Sequence, residues 1–307
     1  MKTFLKKLTV FFLLLFVILI VMNIWMDFEP RPHYPLHYEE VFHPKVNANV
    51  VILGASHATH GINPRYLEGE HRKVFNFALN GAPPSFYLDW YQKVFRRYYP
   101  KPSYVIYAVH WAMFDDRYLA RQFHHDSKYF PFRFFIRELM DSKSLQTLLF
   151  NRFSFSKERK HVIKILLREE REIYPKSRYY KGYIPFKTKS KKRLETGERH
   201  YEINPAQSRA FEELLDALKR DEIKVIFVQV PGYTTSRKDE QISEHVLLLR
   251  GIAKERRILF LDYETERLTS INMNTDLFAD WTHLNEAGSE AFSTLLREDL
   301  VNLLNGI

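Results

Sequence analysis

Val50-Val51-Ile52-Leu53-Gly54-Ala55-Ser56-His57-Ala58-Thr59-His60-Gly61 is the stretch on which the reading of this chain turns. An apolar β-like run empties into a Gly-Ala-Ser turn, which delivers the hydroxyl of Ser56 to the carboxyl end of a strand. In an open parallel sheet that end is where ligands bind. Ser56 is therefore a candidate nucleophile, and a serine hydroxyl needs a base within hydrogen-bond reach and an acceptor that orients the base.

Outward from this stretch, the pattern predicts strands at about 47–53, 73–78, 102–110, 223–230 and 258–262. The third is apolar enough to be buried on both faces, as central parallel strands are. The fourth is stopped by Pro231-Gly232, since proline cannot continue a central ladder. Helices are expected at 84–97, from Pro205 with Asn204 as N-cap and Gln207 in capping-box position, at 239–254, and at 285–304. Strands alternating with helices predict an α/β fold, a doubly wound and mainly parallel five-stranded sheet. The stretch 115–203 is too long for an ordinary crossover. It reads as an inserted cap, basic and aromatic, with a helix at 143–172.

The first 26 residues stand apart, with Lys2, Lys6 and Lys7 preceding an apolar run from 8 to 22 that Asn23-Ile24-Trp25-Met26 extends. At 1.5 Å per residue this is long enough to cross a hydrocarbon core of about 30 Å. No small-x-small cleavage site follows it. Residues 1–26 are therefore expected to be an uncleaved transmembrane anchor, with the lysines cytoplasmic and the remainder outside the membrane. Residues 27–46, rich in proline, read as an extended stalk, and 47–307 as the α/β domain.

With no cysteine among 307 residues, disulfides, thiolate zinc sites and cysteine nucleophiles are excluded. The net charge of +9 is concentrated in 152–199, where sixteen Lys/Arg face six Asp/Glu. A basic segment outside the membrane meets anionic lipid or anionic envelope polymer, which argues against nucleic acid as a partner. No cofactor is expected. His57, His60 and the run His124-His125-Asp126 invite a metal, yet a functional zinc site needs at least three placed ligands, and surface or substrate-facing histidines are the expectation.

Near the C-terminus stands Phe278-Ala279-Asp280-Trp281-Thr282-His283-Leu284-Asn285, just ahead of a helix whose N-cap is Asn285. Asp280 and His283, three apart in a tight turn, can present both side chains to one side of the sheet. They follow the fifth strand as Ser56 follows the first, and loops after parallel strands share one edge. The spacing thus points to a Ser56–His283–Asp280 triad.

Gly54-Ala55-Ser56 after the first strand, Gly81 after the second and Asp280-x-x-His283 before the last helix resemble blocks I, II and V of the SGNH/GDSL hydrolase superfamily, over about 47–304. The resemblance implies Ser56 as nucleophile, His283 as general base and then acid, and Asp280 as the residue that orients the imidazole. It implies backbone N–H groups of Ser56 and Gly81 in an oxyanion hole. One block departs: where the family shows Gly-x-Asn-Asp, this chain reads Ala108-Val109-His110-Trp111, so that His110 or Asn80 would have to stand in for the usual asparagine donor. The α/β-hydrolase elbow Gly-x-Ser-x-Gly is not met, because position 58 is alanine.

An N-terminal anchor, an external serine site and the strand end Val228-Gln229-Val230-Pro231-Gly232 are similar to a cell-envelope subgroup, the DltD-like teichoic-acid D-alanylation and polysaccharide O-acetylation proteins. That resemblance implies acyl transfer, of acetyl or D-alanyl, to an envelope polymer through an acyl-Ser56 intermediate, beside a multi-pass membrane-bound O-acyltransferase. Two alternatives stay open: an esterase or deacetylase using the same triad, and a non-catalytic scaffold that binds polymer or recruits the acyltransferase.

Overall fold

The structure is a computed structural model that describes residues 2–27, 37, 40–42, 46–115, 179–186, 201–233 and 243–304, with side chains to 18 in the first helix and to 301 in the last. In chain order the helices and strands are α1 (Lys2–Asp27), β1 (Val50–Gly54), α2 (Ser56–Gly61), α3 (Pro64–Leu67), β2 (Val74–Asn76), α4 (Pro84–Trp90), α5 (Arg96–Tyr98) and β3 (Tyr104–Val109). They continue with α6 (Pro205–Arg220), β4 (Lys224–Gln229), α7 (Glu244–Arg256), β5 (Leu259–Asp262), α8 (Ser270–Met273) and α9 (Glu286–Leu304). The five strands pair in parallel throughout, in the order β2-β1-β3-β4-β5. Four fall within the stretches expected from the apolar runs, and β1 runs one residue beyond its stretch, to Gly54.

Alternate residues of each strand point to opposite faces, and the sequence makes both faces apolar. Val51, Leu53, Val105 and Tyr107 pack with Phe211, Leu214, Leu218 and Leu249 of α6 and α7. Val50, Ile52, Ile106 and Val228 pack with Ala58 of α2, Ile62 just after it, and Phe292 and Leu296 of α9 on the other side. The result is a three-layer sandwich whose strands all end at one edge. Its strand order places the switch between β1 and β3, and Ser56 begins the helix that leaves β1 there.

Three local departures have physical causes. The helix expected over 84–97 contains a π-helical turn, Tyr91–Phe95. The wider turn lets neighbours in sequence, Trp90 and Tyr91, then Val94 and Phe95, share the buried side. Asn204 caps α6 by accepting from the Ala206 N–H at 2.8 Å, but Gln207 does not close a capping box: its Oε1 accepts from the Ser85 N–H at 3.0 Å. Part of the stretch read as a stalk is packed on the domain, since Val41 and Phe42 belong to the core and the Val41 carbonyl accepts from Trp90 Nε1 at 2.9 Å.

Helix α1 forms where an anchor was expected, with Phe4, Phe11, Leu14 and Ile18 exposed. Among the described residues no helix is long and apolar enough to cross a membrane. The cap helix expected at 143–172 and the run His124-His125-Asp126 lie outside the described residues. Of the insertion, 179–186 and 201–203 are described. The first of these is stitched to the domain by Asn76 N–H to the Lys181 carbonyl at 2.9 Å and Ile184 N–H to the Thr59 carbonyl at 3.0 Å.

Gly54 is the position that sets the site. Its φ of +139° is open to glycine and strained for other residues, and a Cβ there would stand 2.7 Å from the Ala108 carbonyl oxygen of β3. Gly54→Ala is expected to lower stability by roughly 2–5 kcal/mol from backbone strain and overpacking together. The check is a lower urea midpoint at unchanged m-value; an unchanged midpoint would show that β1 can shift away from β3.

Candidate active site

Ser56 is the first residue of α2, partly exposed, and Ala55 beneath it receives the N–H groups of Ala58 and Thr59 at 3.0 and 3.1 Å. The turn is closed from the other side by the Gly54 carbonyl. It accepts from the Leu79 N–H at 3.1 Å and from the Tyr87 hydroxyl at 2.6 Å. The serine is therefore raised on a turn whose backbone is bonded to the loop after β2.

The partner arrives from the far end of the chain. An isolated bridge pairs Phe278 with Leu284, and the Ala279 N–H donates to the His283 carbonyl at 2.8 Å, so residues 279–283 form a closed loop. Asn285 Oδ1 accepts from the Gly288 N–H at 3.0 Å, which caps α9 as the sequence predicts. Within the loop, Asp280 Oδ1 accepts from the backbone N–H groups of Thr282 and His283, both at 2.9 Å, and from the Thr282 hydroxyl at 3.0 Å. His283 Nδ1 stands 2.9 Å from both carboxylate oxygens, and its Nε2 stands 2.8 Å from Ser56 Oγ.

The carboxylate fixes the tautomer. Nδ1 carries the proton and donates to Asp280, leaving Nε2 to accept from the Ser56 hydroxyl. Burial alone would raise the Asp280 carboxyl, but the hydrogen bond and charge of His283 and the two backbone donors outweigh it. They hold it well below the ordinary carboxylate range. Asp280 is thus a stable anion aimed at the imidazole.

Around this line lies a stack of imidazoles. The His57 ring lies nearly parallel to both His283 and His110, with centroids 5.0 Å away in each case and interplanar angles of 22° and 25°. His57 and His60, expected at the surface or facing substrate, are 5% and 2% exposed, and His110 is 3% exposed. Burial first, and the neighbouring His283 and His110 second, push His57 well below the usual histidine value. Burial and His283 push His60 to about 3, and burial with His245 and His283 brings His110 to about 3. All three rings are neutral at pH 7. His110 Nδ1 accepts from the Ala112 N–H at 3.2 Å, so its proton resides on Nε2.

His60 Nδ1 bonds the Ile184 carbonyl at 2.6 Å, and Phe186, two residues on, lies 4.0 Å from the His60 ring and 5.2 Å from the His283 ring. The segment 179–186 therefore supplies one wall of the site. No local pattern announces this wall, since the contact joins positions 124 residues apart. Thr282, which also bonds Asp280, was likewise not singled out, although its place inside Asp-x-x-His is the signal that could have found it.

Gly81 has φ +70°, the left-handed region, on the loop leaving β2, and Asn80 beside it is buried. Both follow Leu79, whose N–H is tied to Gly54. Among the described residues no group of three or more histidine or acidic side chains is disposed to hold a metal ion.

The sequence matches no family model and no curated protein. Similar solved structures include a Streptococcus pneumoniae protein assigned as a platelet activating factor, at 10% identity and TM-score 0.44, covering 93% of this chain and 98% of the other. A Bacteroides thetaiotaomicron GDSL-like lipase matches at 11% identity and TM-score 0.42, covering 89% and 100%. A Bacteroides fragilis protein assigned as an acylhydrolase matches at 13% and 0.41, covering 88% and 95%.

Neutral burial of these rings couples folding to pH. His37, buried against the Ala78 carbonyl, is lowered to about 4, so with His57, His60 and His110 four histidines bind protons more weakly folded than unfolded. Their contribution is complete above the unfolded value of about 6.5 and is lost as pH falls from there toward the folded values. Asp280 adds a further loss below about pH 4, the ordinary carboxylate range. The urea midpoint is expected to fall steadily from pH 7 to pH 4, with a shallower slope in His110→Gln. A flat midpoint over that range would contradict buried neutral rings.

Proposed function

We propose that this chain is a membrane-anchored serine acyltransferase of the SGNH/GDSL kind, moving an acyl group such as acetyl or D-alanyl onto a hydroxyl of an envelope polymer. The observation that carries the chemistry is the continuous hydrogen-bonded line from Ser56 through His283 to Asp280. In the first half-reaction Ser56 Oγ attacks the carbonyl carbon of the donor ester while its proton passes to His283 Nε2. The resulting oxyanion collapses, the leaving oxygen takes that proton from His283, and an acyl-Ser56 ester remains. In the second, an acceptor hydroxyl gives its proton to His283 Nε2 and attacks the ester, and the proton returns to Ser56 Oγ as it leaves.

Asp280 remains ionised throughout and steadies the imidazolium. Backbone N–H groups of Ser56 and Gly81 receive the oxyanion, and the Nε2–H of His110 takes the place of the asparagine amide. Loss of one such donor typically costs about 2.7–4 kcal/mol of transition-state stabilisation, so this substitution matters.

The anchor reading is supported by the apolar run at 8–22, its leading lysines and the exposed apolar side chains of α1. A multi-pass membrane-bound O-acyltransferase as donor partner is what the resemblance to envelope acyl-transfer proteins implies, and the basic stretch 152–199 suits an anionic polymer. Ser56 is partly exposed, which also suits hydrolysis, with water as acceptor in place of a sugar hydroxyl.

Incubation with a fluorophosphonate is expected to add one adduct to the intact protein, lost in Ser56→Ala and strongly slowed in His283→Ala. Asp280→Asn should slow labelling or ester turnover by about 10²–10⁴-fold. No adduct on Ser56 would overturn the triad. Acceptor glycan that raises release of the leaving alcohol and appears as acylated glycan supports transfer, whereas release indifferent to glycan supports hydrolysis. Envelope acylation unchanged by Ser56→Ala would leave the non-catalytic scaffold.

A further inference from the structure

His57 is the residue the chemistry above leaves unused. It follows Ser56 directly, is 95% buried, and neither of its ring nitrogens has a hydrogen-bond partner among the described residues. A neutral imidazole carries one N–H donor and one lone-pair acceptor. Leaving either buried and unmatched is costly, and a phenyl ring would fill a stack between two flat rings without that cost. His60, one turn along α2, shows the contrast: its Nδ1 is matched by the Ile184 carbonyl.

The location narrows what could match His57. Its faces are occupied by His283 on one side and His110 on the other, and the Trp111 ring stands edge-on at 6.4 Å. Its edge is what remains to make hydrogen bonds. On the reading above, the nucleophile and base flank the scissile carbonyl, and the oxyanion is served by the backbone donors and His110. The unclaimed polar atom of the substrate is then a substituent on the acyl group itself. One donor and one acceptor on a single ring suit a hydroxyl or an amine, which offers both.

We propose that His57 is a specificity residue whose ring edge hydrogen-bonds a polar substituent on the acyl group, so that the site takes short acyl groups bearing a hydroxyl or amine in preference to plain alkyl acyl groups. This rests on the acyl-serine reading.

The test uses the full chain in detergent and two esters of nearly equal size, p-nitrophenyl glycolate, with CH2OH beside the carbonyl, and p-nitrophenyl propionate, with CH2CH3. Intrinsic reactivity cancels when the glycolate-to-propionate ratio of kcat/KM is compared between wild type and variants. His57→Phe is expected to lower that ratio by about tenfold or more, while its urea midpoint at pH 7 stays equal to or above wild type. His57→Gln, which keeps a donor and an acceptor, should retain part of the preference, and it carries the test alone should the Phe variant fail to fold.

A ratio unchanged in His57→Phe, or in His57→Gln a ratio no different from wild type together with a lowered midpoint, would make His57 a packing residue and overturn the proposal. Turnover of both esters with no dependence on His57 sinks the specificity role alone. No turnover of either ester and no fluorophosphonate adduct sinks the acyl-serine reading beneath it.

Discussion

Everything at the sheet edge that carries Ser56 depends on how closely β1 can lie beside β3. Gly54 reaches a conformation and a separation from Ala108 that a side chain would obstruct, and only then can the chain turn sharply enough to start α2 at Ser56. The same residue's carbonyl collects Leu79 and Tyr87, so one peptide group orders the end of β1, the loop after β2 and the aromatic layer behind them. The triad is the visible outcome of this backbone contact. Asp280 and His283 contribute a rigid, self-bonded loop, and the sheet edge contributes the place where that loop meets the serine.

The fold was readable because parallel strands buried on both faces must be apolar nearly throughout, and the five runs around Val51, Phe75, Ile106, Phe227 and Leu261 met that demand. Ser56, Asp280 and His283 were readable for a related reason. Each belongs to a short local pattern attached to the end of a strand, and topology brings strand ends together. What could not be read were contacts with no local signature. Gln207 looked like half of a capping box and instead bonds Ser85, 122 residues away. The end of the supposed stalk looked free and instead places Val41 in the core.

His57 and His60 illustrate the same limit from the side of polarity. Histidine in sequence is most economically read as exposed, because burying an imbalance of donors and acceptors is unfavourable. The structure places both beneath the site, one matched by the insertion and one matched by nothing described. Composition can say how many polar groups a chain has. It cannot say which of them a fold will hide.

The stitching of 179–186 to α2 and β2 has a consequence for what holds the wall of the site in place. Residues 179–186 are fastened to the domain at Lys181 and Ile184, and the Ile184 carbonyl also bonds His60, whose ring lies beside His283. The entropy of holding two fixed points together rises only logarithmically with the chain between them, by about 0.6 kcal/mol per doubling for a flexible loop. The wall at Phe186 is held by the backbone bonds of Lys181 and Ile184 themselves, so its place against His60 and His283 rests on local contacts and hardly on the length of chain before it.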